Sequence, residues 1–485
     1  MSVIFDAPIT RDELRGRRVT IVGLGKGRTS AGLAEFLVAC GAHVTISDAA
    51  PREERAEGIA RLGGTPVDFV FGPSSDDSAL ADPDFVFVIP GIRPRSATIL
   101  RALQRDIPVL TEIGLFFRLC PAPIVGVTGT KGKTTTTTMI ERILARGTRR
   151  VVTGGNIGRS IIQELDTLTK NDIVLLELSS FQLETLGVSP HVAVITNVTE
   201  DHLDHHGTRE GYVAAKRNIL AWQGSKDIAV LNLDDPTVVS MHTGAASEVR
   251  GYSLALRPKR GAYLDASGML TLCDGSRQIP FLAARELRLV GRHNIANALA
   301  AAIAGHAMGI ALADVAEALR TFEGVAHRLQ RLGERDGVLW VDDSAATTPA
   351  ATLTALEAFD RPAVVILGGV SKGVDFGPLA REVVRRARGA VLIGQAADDI
   401  AEALDAAAAG PGTGRLPVRR AAGLAEAIAL ARELARPGDV VLLSPACAAR
   451  EDIARARTPD RFLSADDRGD RFVALVSQML DGARA

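Results

Sequence analysis

Gly126–Thr135, reading GVTGTKGKTT, follows the apolar run Ile124–Val127 and precedes a helical segment, Met139–Ala145. A strand, a glycine loop and a helix in that order aim backbone N–H groups and the positive end of the helix at an anion. Lys133 then suits the β- and γ-phosphates of a nucleotide, and the Thr134 hydroxyl suits Mg²⁺. Against the strict G-x-x-x-x-G-K-[ST] spacing, the first glycine position falls on Val127, with Gly126 and Gly129 flanking it. The pattern predicts ATP or GTP binding by Gly129, Thr130, Lys131, Gly132, Lys133, Thr134 and Thr135.

On the N-terminal side, a β run at Arg18–Val22 leads into the turn Gly23-Leu24-Gly25-Lys26-Gly27. A helix over Thr29–Cys40, a strand over Val44–Ser47 ending at Asp48, and an apolar run Phe85–Ile89 come next. This βαβ alternation predicts a parallel, doubly wound sheet. The turn is G-x-G-x-G, not G-x-G-x-x-G. Asp48 lies where a ribose-binding carboxylate sits in a dinucleotide fold. By spacing alone, three readings stay open: a nucleotide or diphosphate site, a nicotinamide or flavin site, and a tight structural turn.

Pro121 and Pro123 mark a boundary. Beyond the glycine loop, Ile173–Glu177, Val192–Thr196, Ile228–Leu233 and Leu287–Val290 read as strands and Ile295–Ala304 as an Ala-rich helix. After Gly324 the pattern resets, with strands at Val338–Asp342, Ala363–Leu367, Ala390–Ile393 and Val440–Leu443 and a loop at Ala406–Gly414. The expectation is an α/β protein of three domains, residues 1–120, 121–327 and 328–485. The 485 residues leave room for two to four domains.

A net charge of −1 argues against a general nucleic-acid binder or a polybasic membrane protein. No apolar run approaches a membrane span of ~20 residues, and the N-terminal stretch has no signal-peptide pattern. A cytoplasmic soluble protein is expected. Cys40, Cys120, Cys273 and Cys447 lack C-x-x-C spacing, so each reads as a small apolar residue and not as part of a disulfide or zinc framework.

Two further strand ends concentrate polar groups. Glu177-Leu178-Ser179 places a carboxylate beside the glycine loop, where it could hold Mg²⁺ or lie on the surface. Asn197–Asp204, NVTEDHLD, gathers Glu200, Asp201, His202 and Asp204 and suits a hard ion on phosphate better than zinc. His205 and His206 read as solvated loop residues, and Lys216, on a helix over Tyr212–Leu220, as a solvated charge. Arg292–Asn297 opens the Ala-rich helix, with Asn294 as its cap and Asn297 on its first turn.

Taken in order, GVTGTKGKTT, GNIG (155–158), ELSSFQLE (177–184), NVTEDHLD, the helix with Lys216, GRHNIANALAA (291–301), AHR (326–328) and SPACA (444–448) resemble a Mur ligase across nearly the whole chain. ELSSFQLE, NVTEDHLD and SPACA point to the glutamate-adding branch. The resemblance implies a Rossmann-like N-terminal domain for the UDP substrate, a central ATPase-like parallel sheet and a Rossmann-like C-terminal domain. It implies an ATP- and Mg²⁺-dependent ligase of peptidoglycan precursor synthesis, a monomer acting on UDP-N-acetylmuramoyl-L-alanine and glutamate. Gly25, Lys26, Gly27 and Asp48 would then meet the UDP part, and Asn156 and Ser179 the muramoyl end. Lys133, Lys216 and His202 would serve catalysis, with Thr134, Glu177, His202 and a carbamylated Lys216 as metal ligands. Asn294, Asn297, Arg328 and Asp343 would hold the nucleotide, and Thr347 and Lys372 the amino acid. Ala345 and Ala449 stand where the family usually has lysine and serine, both at the amino-acid site. D-glutamate is the expected acceptor, with L-glutamate as the alternative. An NAD-dependent oxidoreductase and a non-catalytic UDP-sugar sensor are the more distant readings.

Overall fold

The structure is a computed structural model and describes residues 9–25, 28–73, 80, 82–156, 160–244, 246–289, 291–371, 373–409, 416–449 and 462–481. Lys26, Gly27 and Lys372 lie outside the described residues. The chain divides into two compact units, Met1–Phe322 and Glu323–Ala485.

The first unit holds two sheets. Strands β1 (Arg18–Val22), β2 (His43–Asp48), β3 (Asp68–Phe71), β4 (Phe85–Val88) and β5 (Val109–Thr111) are all parallel, in the order β3-β2-β1-β4-β5. The order reverses at β1, so a crevice opens beyond the carboxyl ends of β1 and β4, where open α/β sheets bind ligands.

The second sheet contains β6 (Ile124–Thr128), β7 (Val151–Gly155), β8 (Ile173–Glu177), β9 (Val192–Ile195), β10 (Ile228–Asn232), β11 (Glu248–Ser253), β12 (Arg260–Leu264), β13 (Met269–Asp274) and β14 (Arg277–Ala283). From β7 the order runs β7-β8-β6-β9-β10-β11-β12-β13-β14, parallel as far as β12. Every residue of β6 and of β8 is buried. Parallel strands covered on both faces by helices need such continuous apolar runs. The β8–β6–β9 arrangement places the ends of all three strands around the turn after β6. One apolar cluster runs from Ile21, Leu33 and Phe116 beside the first sheet to Ile161, Val174 and Leu186 beside the second.

The second unit has β15 (Gln330–Arg335), β16 (Val338–Asp342), β17 (Ala363–Gly368), β18 (Ala387–Ile393), β19 (Val418–Arg420) and β20 (Val440–Leu443), in the order β15-β16-β20-β17-β18-β19. Only the β15–β16 pairing is antiparallel. Three parallel-rich sheets therefore stand where the sequence predicts three α/β domains.

Some local expectations fail. Leu287–Leu289 form no strand, and a 3₁₀ turn, Ala284–Glu286, precedes them. Residues 406–408, read as loop, continue the helix Ala397–Ala408. The helix carrying Lys216 spans Arg209–Arg217, three residues earlier than its apolar pattern suggests. Thr208 starts it by accepting a hydrogen bond from the Gly211 N–H at 3.1 Å.

Candidate active site

The loop after β6 runs into the helix Lys133–Leu144, whose first turn has no side-chain cap. A helix start leaves four N–H groups without intrahelical acceptors, and an anion can complete them. Two glycines make the loop possible. Gly129 has φ +151°, and a Cβ there would overlap the Thr196 Oγ1 atom. Gly132 has φ +83°, and a Cβ there would sit 2.7 Å from Asn297 Oδ1. Asn297 thus lies against the phosphate loop. It is on the second turn of the helix Arg292–Ala307, whose cap position is Gly291, so Asn294 is inside the helix and not its cap.

The loop is held from the end of β9. Asn197 accepts the Thr130 N–H on its carbonyl at 2.7 Å and the Lys131 N–H on its Oδ1 at 3.0 Å. Its side-chain NH₂ donates to the Lys131 carbonyl at 2.9 Å, and the Thr196 hydroxyl donates to the same carbonyl at 2.7 Å. The Tyr212 hydroxyl lies 3.1 Å from Thr130 Oγ1. Asn197 and Tyr212 were not singled out from sequence. The position of Asn197 at the end of an apolar strand beside the loop was the available signal for it.

Lys133 Nζ donates to the carbonyls of Gly129 and Thr130, both at 3.0 Å. Lys216, expected as a solvated charge, is 1 % exposed. Its ammonium donates to the Gly129 carbonyl at 2.8 Å and to Thr128 Oγ1 at 3.3 Å, and it lies 4.8 Å from the centre of the Tyr212 ring. Burial, helped by the like charge of Lys133, lowers its pKa to about 7, against the opposing pull of Asp201 and Glu177. At neutral pH a large share of Lys216 is therefore the free amine.

Glu177 ends β8 and is 2 % exposed. Asn156 donates to its Oε1 at 2.9 Å, while its Oε2 is buried without a hydrogen-bond partner. Such an atom is costly unless a cation or donor completes it. Ser179 is the cap of the short helix Ser180–Leu183, accepting from the Gln182 N–H while Gln182 Oε1 accepts from the Ser179 N–H. His202 takes a left-handed conformation at the start of the helix Leu203–His206, with its side chain 47 % exposed and 3.6 Å from Asp201. Among the described residues it makes no hydrogen bond to Glu177 or Lys216. The expectation of solvated loop residues at positions 205 and 206 is wrong. Both belong to that helix, with side chains 8 % and 0 % exposed, because they pack on Phe181.

At the first glycine turn, Asp48 Oδ2 accepts the N–H groups of Leu24 at 2.9 Å and Gly25 at 3.3 Å and pairs with Arg55 Nε at 2.8 Å. Its Oδ1 accepts the Ala50 N–H at 3.0 Å. Burial works to raise its pKa, but the Arg55 guanidinium and the three N–H groups outweigh it and lower the value.

In the second unit, Asp343 follows β16. It accepts from Ser444 Oγ at 2.7 Å and from the Leu329 N–H at 3.2 Å. Burial pushes its pKa up to about 7. Arg328 is exposed and lowers that value by its charge. Thr347 and Ala345 lie half-buried in the same strand-end segment, and Ala449 is buried. His327, in the AHR segment, was not assigned a role from sequence; it joins Asp342 at 2.7 Å. Arg468 is fully buried and donates to the carbonyls of Ser344, Cys447 and Gly368.

Family profiles match in series: the MurD-like N-terminal domain over residues 17–111, the Mur ligase middle domain over 127–305 and the Mur ligase glutamate ligase domain over 327–447. A UDP-N-acetylmuramoylalanine–D-glutamate ligase of Symbiobacterium thermophilum is 41 % identical over 466 residues, covering 95 % of this chain and 98 % of the relative. The same-named protein of Pelotomaculum thermopropionicum is 39 % identical, covering 96 % and 99 %. Among solved structures, the UDP-N-acetylmuramate–alanine ligase of Thermotoga maritima aligns with a TM-score of 0.52 at 22 % identity, covering 96 % of this chain and 100 % of that one. That likeness bears on the fold. No helix among the described residues is long and apolar enough to cross a membrane.

Proposed function

The chain belongs to the Mur ligase family, and from that premise we propose that it joins D-glutamate to UDP-N-acetylmuramoyl-L-alanine at the expense of ATP, in the cytoplasm. The names of its full-length relatives support this acceptor and this substrate. The observation that carries the reading is the uncapped start of the helix Lys133–Leu144 beside buried Lys216 and the unpartnered Glu177 Oε2. That cradle suits a polyphosphate with its counter-cation.

In this reading, Gly129–Thr135 with Asn294 and Asn297 bind ATP, and Arg328 and Asp343 complete its site. Gly25, Lys26, Gly27 and Asp48 bind the UDP part, Asp48 by shaping the turn it already holds. Asn156 and Ser179 face the muramoyl end, and Thr347 and Lys372 face glutamate. Residues 1–120, 121–327 and 328–485 form the three corresponding domains. Thr134, Glu177, His202 and carbamylated Lys216 would hold Mg²⁺, and the open Glu177 oxygen fits that role. Bound there, the ion supplies positive charge to the transferring phosphoryl group. Carbamylation would turn Lys216 from a cation into an anion, and its free amine at neutral pH is the form able to react with CO₂.

The chemistry balances in two steps. An oxygen of the alanyl carboxylate bonds to the γ-phosphorus of ATP as the bond to the β-phosphate oxygen breaks, giving an acyl phosphate and ADP. The glutamate amine then bonds to the acyl carbon, phosphate leaves with the original carboxylate oxygen, and the nitrogen loses a proton to solvent. Lys133 neutralises charge in the first step, and exclusion of water protects the acyl phosphate. Among the described residues of the first turn, Asp48 is committed to its own turn and to Arg55, which does not favour a nicotinamide site. Replacing Lys133 by alanine tests the reading: ATP-dependent product formation should vanish while the UDP substrate still binds. Full activity in that variant would overturn it.

A further inference from the structure

Outside the residues assigned above, Glu184, His205 and His206 bring three ligand atoms within 4.8 Å of one another. Glu184 closes the short helix Ser180–Leu183, and the two histidines end the helix Leu203–His206. His205 Nε2 lies 2.8 Å from Glu184 Oε2, and His206 Nδ1 lies 3.6 Å from Glu184 Oε1.

His206 is the telling member. Its side chain is fully buried and its Nδ1 has no hydrogen-bond partner. Its other nitrogen, Nε2, sits 3.0 Å from Ser180 Oγ. If Nε2 donates to Ser180, the bare lone pair of Nδ1 faces a carboxylate, and two electron-rich atoms meet inside the protein. If Nδ1 carries the proton instead, the carboxylate oxygen it faces, Glu184 Oε1, lies 3.6 Å away, beyond hydrogen-bond reach. A cation between His206 Nδ1, His205 Nε2 and the Glu184 carboxylate removes both difficulties. The Ser180 contact then has the form of an outer hydrogen bond that fixes the tautomer of a metal-bound histidine.

We propose that Glu184, His205 and His206 form a binding site for a divalent transition ion, with two imidazoles and one carboxylate selecting an ion such as Zn²⁺ over Mg²⁺. Glu184 is 24 % exposed, which leaves a coordination position open to water. The ion would fasten the helix Leu203–His206 to the helix Ser180–Leu183. It is a positioning site, since one of these helices begins at His202 and the other is capped by Ser179.

The test uses the full chain, stripped by chelator and kept in excess Mg²⁺ so that sites for hard ions stay filled. Co²⁺ is titrated while its visible d–d absorption is followed, and Zn²⁺ is then added as a competitor. One Co²⁺ per chain should bind with the intense bands of a low-coordinate site, and Zn²⁺ should bleach them. Glu184→Gln and His205→Gln should each weaken uptake by at least about tenfold, whereas His202→Ala should leave it unchanged. Circular dichroism confirms that each variant is folded. Absence of Co²⁺ uptake under Mg²⁺ would overturn the proposal and leave the three residues as a hydrogen-bonded cluster. Uptake that is lost in His202→Ala but kept in folded Glu184→Gln and His205→Gln would overturn it equally.

Discussion

Two glycine turns in the first unit follow the first strand of their sheets; in both the protein accepts loop N–H groups, but only the first does so with a carboxylate. After β1, the N–H groups of Leu24 and Gly25 are taken by Asp48, a carboxylate the protein supplies itself. After β6, the helix beginning at Lys133 has no side-chain cap, and the neighbouring side chains Asn197 and Thr196 hold the loop from behind. A turn that carries its own anion is shaped before any ligand arrives. A turn that lacks one leaves the helix start open to a ligand's anion. Similar glycine spacing therefore does not mean similar use, and the deciding residue is a carboxylate 24 positions downstream of Leu24.

The comparison breaks most visibly at Lys133. Lys133→Ala should lower ATP-dependent phosphate release by roughly 10³-fold or more, the scale of losing a cation that stabilises phosphoryl transfer. Circular dichroism should stay unchanged, because the loop is also held through Asn197.

The strand-end carboxylates sharpen it further. Asp48 receives three N–H groups and a guanidinium and has a lowered pKa, whereas Asp343 receives one hydroxyl and one N–H and is raised to about 7. Their pH dependences should have opposite signs. The stabilisation from Asp48 is present above its unfolded pKa and is lost as pH falls through its lower folded value. For Asp343 the folded state holds the proton more tightly than the unfolded state, so its contribution is fully present below the unfolded pKa and is lost as pH rises through about 7. Asp343→Asn should remove a pH-dependent term on the order of 3 kcal/mol, read as the change between pH 4 and pH 8 in the wild-type–variant difference in urea-unfolding free energy.

Asp48→Asn exchanges a charged acceptor for a neutral one. It should cost about 2 kcal/mol and raise KM for the UDP substrate with little change in KM for ATP. An equal effect on both would erase the distinction between the turns. The smallest effect is at Ser179, whose cap on Ser180–Leu183 is worth about 1 kcal/mol. Ser179→Ala should shift the thermal midpoint by a few degrees.

Many parallel strands were legible as apolar runs, and Ile173–Glu177, Val338–Asp342 and Val440–Leu443 match residue for residue, but the parallel strands β3, β5, β7, β11 and β19 were not read. Nor were β12 and the antiparallel strands β13, β14 and β15. The first four positions of β14 are exposed and no residue of β15 is buried, so neither offers the apolar run that marks a strand. The phosphate loop could be read because its chemistry is local. The burial of Lys216 and of His205 and His206 could not, since it depends on Tyr212, Phe181 and the Gly129 carbonyl, brought in by the topology. Asp48 was placed correctly at the end of its strand, but its commitment to the turn's own N–H groups depends on the exact path of the chain.

The most direct measurement is phosphate release from ATP with UDP-N-acetylmuramoyl-L-alanine, with D-glutamate and L-glutamate in parallel. Release should require all three substrates, with D-glutamate strongly preferred. No release with either amino acid, or a preference for L-glutamate, would contradict that expectation.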